Sequence, residues 1–211
     1  MAVFGINYKM PFNVEKHRIM ISRMVAVMVL FFICECKSHW ENENEIFTFI
    51  LFVTGIVLVG IASLGRMWCS LYVAGYKDEQ LITKGPYSLC RNPLYLFSMV
   101  GVLGIGFCTE TLTFPILFVA LFSSYYPFVI KSEEKRLRSI FGSVFEKYTQ
   151  KVPAFFPDIS IFEEPETYQV NPVVYRIHIF SALWFVWIVG ILEVIEGLRE
   201  TGFFTASWAV Y

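Results

Sequence analysis

Two clusters of residues in this chain could do chemistry together. Arg91-Asn92-Pro93 opens one apolar run, and Glu133-Glu134 follows the next. Asn92 is a favoured helix N-cap, and Pro93 suits the first helical position, where its missing N–H costs nothing. A helix starting there turns its free N–H groups and positive dipole end toward the loop, with Arg91 alongside, and so attracts an anion. A snorkelling arginine at a membrane surface would give the same local pattern. Counting back from Leu137 by three and four puts Glu134 and Glu133 on the stripe of Leu137, Ile140, Phe141, Val144, Phe145 and Tyr148. Two adjacent acids turned inward need donors or a cation. The alternative is that they begin a solvated helix and favour its dipole. An anion site facing inward acids suits a zwitterionic ligand that carries hydroxyls.

The elements that must position these residues are apolar. Of 211 residues, 56% are hydrophobic and only 17% charged, against about 25% charged in soluble domains. The 22 Phe, 11 Tyr and 5 Trp fit a chain solvated by lipid with aromatics at the interfaces. A net charge of −1 gives no reason to expect a nucleic-acid partner. The expected fold is an all-α integral membrane protein with five transmembrane helices. These are Ile19–Cys34, Ile46–Leu64, Leu94–Phe107, Leu112–Ile130 and Val173–Ile195. Cys108–Thr111 makes the third and fourth a helical hairpin, whose Gly101, Gly104 and Gly106 would allow close helix approach. An amphipathic surface helix over 131–148 follows it.

The five cysteines show no metal-ligand spacing, and no metal is expected. Arg176 and His178, in the first turns of the fifth span, could reach a headgroup or cofactor, or simply lie at the interface. Basic residues gather before the first span, in 65–92 and in 131–151, so these segments and the N-terminus are expected to be cytoplasmic. Arg91 and the acidic pair then share one interfacial pocket.

The stretch Lys84-Gly-Pro-Tyr-Ser-Leu-Cys-Arg-Asn-Pro-Leu-Tyr95 resembles the Gly-Pro-Tyr…Arg-His-Pro-x-Tyr signature of the isoprenylcysteine carboxyl methyltransferase family, relatives of membrane phospholipid N-methyltransferases. Glu133-Glu134-x-x-Leu137, Phe141-Gly142, Tyr148 and Val152-Pro153 are similar to that family's second signature. Asn92 replaces its usual His, and Phe145 the first of its paired tyrosines, which leaves the branch open. The resemblance covers roughly residues 50–157.

It implies S-adenosylmethionine as cofactor, held by a core over 83–157 within one membrane domain, 1–211. Arg91 and Pro93 would take the methionine carboxylate, with Asn92 at the helix start. Tyr87 and Tyr95 would line the pocket, Glu133 and Glu134 would take the ribose hydroxyls or α-amine, and Tyr148 would close it. Arg91 and Glu134 are the expected catalytic residues; Arg176 and His178, on the additional helix at 173–195, are the expected substrate contacts. The implied activity is methyl transfer to a lipophilic carboxylate, amine or thiol at the cytoplasmic face of a bacterial inner membrane. A nicotinamide-dependent reductase of related fold and a non-catalytic membrane scaffold are the alternatives.

Overall fold

The computed structural model describes residues 31–76, 79–203 and 207–211. Helix α1 spans Glu45–Val73, and its N-cap Asn44 accepts from Phe47 N at 3.1 Å. A one-turn helix α2 (Pro86–Leu89) precedes α3 (Pro93–Phe107), which begins on its proline. Then come α4 (Thr113–Phe141), α5 (Ser143–Lys151), α6 (Pro172–Ala182) and α7 (Trp184–Glu200). Strands β1 (Cys36–Ser38) and β2 (Trp208–Val210) form one short parallel pair, an addition to the all-α expectation.

Among the described residues, three stretches are long and apolar enough to cross a membrane: α1, α4, and Pro172–Glu200, which is α6 and α7 in sequence. They correspond to the expected second, fourth and fifth spans. α3 has 15 residues, roughly 22 Å at 1.5 Å per residue, short of a hydrocarbon core of about 30 Å. Most of the expected first span, Ile19–Cys34, lies outside the described residues; residues 31–35 are helical.

α1 packs most extensively on α3, and glycine sets the approach. A Cβ on Gly55 would lie 2.7 Å from Gly104 O, and one on Gly104 would lie 2.9 Å from Gly55 O. Phe114, Phe118, Phe185 and Leu192 complete the core around Val59, Ala62 and Ile105. At the turn of the α3–α4 hairpin, Glu110 adopts φ +57°, and its carbonyl accepts from Ser38 Oγ at 2.7 Å. Burial and repulsion from Glu196, Glu41 and Glu193 push the Glu110 carboxyl up to about 7.

The surface helix expected over 131–148 is two pieces. Residues 131–141 are the last turns of α4, whose 29 residues extend well beyond a bilayer core. Gly142, at φ +49°, ends α4 with its N–H on Arg138 O, and α5 starts anew. Phe145 and Tyr148 turn inward with Val152, beside Leu137 and Phe141. Ile140 and Val144 face outward.

Candidate active site

The site begins where α1 ends. Gly85 adopts φ +60°, and a Cβ there would stand 2.3 Å from the Tyr72 ring. Only glycine fits that turn, which sets α2 and the loop to Arg91 against α1. The segment after α5 then wraps the loop from outside. Arg91 N donates to Pro153 O at 2.8 Å, Asp158 N to Leu89 O at 3.0 Å and Gly85 N to Glu163 O at 2.8 Å. Lys84 pairs with Glu163, and Tyr72 Oη donates to Glu164 Oε1 at 2.8 Å.

Held this way, Arg91 reaches the end of α4. Its Nε donates to Glu134 Oε1 at 2.9 Å, and its Nη1 to Val152 O at 2.7 Å and Thr149 O at 3.2 Å. The two side chains are 14% and 18% exposed, so the pair is largely shielded from water. Asn92 holds the N-cap position, but its side chain does not cap α3. Its Nδ2 donates to Ala154 O at 2.9 Å and to Glu134 Oε1 at 3.3 Å. The anion beside Arg91 at the start of α3 is therefore the protein's own Glu134. Among the described residues, Arg91 Nη2 has no protein acceptor.

Tyr95 Oη donates to Glu133 Oε2 at 2.7 Å, and Arg136 Nη2 lies 3.6 Å from Glu133 Oε1. Tyr148 Oη donates to Tyr87 O at 2.6 Å, tying α5 to α2. Burial pushes the phenols of Tyr87 and Tyr148 well above the ordinary range, so both stay protonated as donors.

A cavity of about 460 Å³ opens among these groups, a size suited to a small-molecule ligand. Arg91, Asn92, Tyr95, Glu133 and Glu134 supply its polar side, while Leu137, Phe141 and Phe145 supply an apolar side. Tyr87, Tyr148 and His178 also line it. Pro93 does not; it is fully buried behind the wall as the first residue of α3. Arg176 is exposed and absent from the lining, because two residues along a helix turn it about 200° from His178. Of the two expected substrate contacts, His178 lines the cavity and Arg176 does not.

Sequence reasoning missed Ser70, Val73 and Val174 in the lining, and the expected second span, Ile46–Leu64, stopped short of Arg66. α1 continues past Arg66 for seven residues, so this arginine lies inside a packed helix. Its Nη1 donates to Ser98 Oγ and its Nη2 to Ser181 Oγ at 3.4 Å, with its guanidinium carbon 5.5 Å from the Phe185 ring centroid. Its Nε is buried without an acceptor, and no carboxylate pairs with it among the described residues. The signal was available: no helix-stopping residue follows Arg66 until Gly75.

Helices long and apolar enough to span a membrane, an arginine–carboxylate pair at the hairpin's open end and a two-sided cavity place the chain among helical membrane proteins with an interior binding site. The phospholipid methyltransferase family model matches residues 44–144. The chain is 35% identical over 185 residues (88% of this chain, 85% of the relative) to the nickel-cobalt-cadmium resistance protein NccN of Alcaligenes xylosoxydans xylosoxydans. It is 33% identical over 198 residues (94% and 90%) to the cobalt-zinc-cadmium resistance protein CzcN of Cupriavidus metallidurans. A probable protein-S-isoprenylcysteine O-methyltransferase of Oryza sativa subsp. indica is 28% identical over 130 residues (59% and 66%). The chain belongs to the phospholipid and isoprenylcysteine methyltransferase family of membrane proteins. No solved structure matches it. Among the described residues, no group of three or more His, Cys, Asp or Glu is placed to hold a metal ion.

Proposed function

We propose that this protein transfers a methyl group from S-adenosylmethionine to a lipophilic acceptor at the cytoplasmic membrane interface. The observation that carries the reading is the 460 Å³ cavity, where Arg91, Glu133 and Glu134 meet an apolar wall at the end of a membrane hairpin. The residues present fit that cofactor. Arg91 Nη2 is a donor left for a carboxylate, and the Glu133–Glu134 pair suits an ammonium or a ribose diol. Leu137, Phe141 and Phe145 offer a surface for a purine ring. Bound there, the cofactor supplies an already activated methyl group. Arg91 and Glu134 then act by holding and orienting, and positioning alone can supply about 7–11 kcal/mol.

Arg66 supports an acceptor that carries an anionic group. It lies one helical turn along α1 from Ser70, which lines the cavity. An arginine inside a membrane helix without a carboxylate partner marks a binding path. The reductase alternative gains no support, because the cavity cations Arg91 and Arg136 already face Glu134 and Glu133. That leaves little for a 2′-phosphate. The basic residues at this end, including Lys84, Arg91 and Lys135, favour a cytoplasmic orientation.

The test is calorimetric titration of S-adenosylmethionine into detergent-purified protein, with Tyr95→Phe and Glu133→Ala alongside. Saturable binding that both substitutions weaken, Glu133→Ala by at least tenfold, is expected. No binding by folded wild-type protein, with or without lipid, would overturn the reading.

A further inference from the structure

We infer that one face of the C-terminal helices, carrying Val174, His178, Ser181 and Phe185, selects the methyl acceptor. The inference rests on the methyl-transfer reading and concerns α6 and α7, which lie outside the 44–144 segment that the family model matches.

The four residues are spaced four, three and four apart, which keeps them on one helical stripe. The stripe runs from the cavity to the intramembrane arginine. Val174 and His178 line the cavity opposite the residues of α3 and α4. Ser181 accepts from Arg66 at 3.4 Å, and the Phe185 ring lies under the same guanidinium at 5.5 Å. Phe185 is buried against α3, where a Cβ on Gly101 would touch its ring at 2.7 Å.

The stripe is also fixed in place. Asn171 caps α6 by accepting from Val173 N at 3.1 Å and Val174 N at 3.2 Å. Its own N–H donates to Ala74 O at 3.3 Å. Gly75, at φ +100°, sits so close that a Cβ there would be 2.9 Å from Asn171 Cβ. The end of α1 that supplies Ser70 and Val73 to the cavity therefore sets where α6 begins. The polar groups on the α3–α4 side are bonded to one another through Arg91, Asn92, Tyr95, Glu133 and Glu134. The α6 wall adds an imidazole and an aliphatic side chain to the lining, His178 and Val174. That pairing suits an amphiphile's head group next to the start of its chain.

The experiment uses full-length protein in phosphatidylcholine vesicles. Methyl transfer is measured to three probes: S-farnesylcysteine, dodecanethiol and phosphatidylethanolamine. Wild type is compared with His178→Gln, Val174→Trp and, as a lipid-facing control on the same helix, Phe180→Ala. S-adenosylmethionine affinity is measured on each by calorimetry. The inference expects KM for the accepted probe to rise about tenfold in both stripe variants and the ranking of the probes to change. Cofactor Kd stays within twofold, and the control behaves as wild type. It is overturned if KM and ranking do not move, or if cofactor affinity falls in step with KM. It is also overturned if wild type binds the cofactor but methylates none of the three. Wild type that binds no cofactor would instead remove the methyl-transfer reading itself.

Discussion

Arg91 and Glu134, forty-three residues apart, share a 2.9 Å ion pair at the open end of the α3–α4 hairpin, and Asn92 reaches the same carboxylate oxygen. Each group keeps the other tolerable in a partly dry site. Breaking a buried pair from one side costs about 3–5 kcal/mol, because it strands a charge, whereas replacing both partners with apolar residues costs much less. Arg91→Met and Glu134→Leu should each lower the thermal unfolding temperature. The double variant should recover most of the loss without recovering S-adenosylmethionine binding. Thermal unfolding in detergent beside calorimetry separates the two effects, and strictly additive temperature losses would count against the pairing.

The α1–α3 contact should fail at its glycines. Gly55→Ala puts a methyl 2.6 Å from Cys108 Sγ and 2.7 Å from backbone atoms, and Gly104→Ala puts one 2.9 Å from Val59 N. Backbone cannot yield as a flexible side chain can, so a loss of about 1–3 kcal/mol is expected for each. Gly60, with nothing within 4 Å of its Cβ position, is the control. Gly60→Ala should be neutral or slightly stabilising on a helix. Folded yield and unfolding temperature of the three variants decide the matter.

Arg66 should matter to the acceptor and not to the cofactor. Arg66→Gln keeps a donor for Ser98 but removes the charge. A fall in kcat/KM of about a hundredfold for an anionic acceptor, roughly 2.7 kcal/mol, is expected with cofactor Kd unchanged. An equal loss for a neutral long-chain thiol would show that Arg66 serves only to pack the helices.

Glu110 gives the protein a pH dependence far from the cavity. Its carboxyl is raised to about 7 by burial first and neighbouring glutamates second. The folded state therefore holds a proton that the unfolded chain releases near its ordinary pKa. The sign follows: stability is highest at low pH and declines as pH rises from about 4.5 through 7. Glu110→Gln should flatten that decline and leave the variant more stable than wild type at pH 8. Unfolding temperatures at pH 5.5 and 8 are the measurement, and a slope unchanged by the substitution would refute the assignment.

Much of the frame was legible. Pro93 starts α3, and a short polar break makes α3 and α4 a hairpin. The acids of the second signature sit near Arg91 because both flank that hairpin. Three things were hidden, each for a physical reason. The change from apolar to charged at Lys131 falls inside α4, and it resembles a new element only until Gly142 supplies the stop. Glu134 as a partner of Arg91 was hidden, because local N-cap chemistry cannot reveal a carboxylate arriving from 42 residues beyond the cap. The expected second span stopped at Leu64, short of Arg66, because hydropathy takes no account of a serine on a neighbouring helix.

The segment wrapped around the motif loop is held largely by main-chain groups, at Pro153, Ala154, Asp158, Glu163 and Asn171. Peptide groups are the same whatever side chain they carry. Between Val152 and Asn171, outside Glu163, Glu164 and Asn171, whose side chains also bond, letters should thus exchange more readily than their number changes. A single inserted or deleted residue there would shift every carbonyl out of register with the loop it braces. Related chains should drift in composition across this stretch while conserving its residue count, a constraint on path length rather than on chemistry.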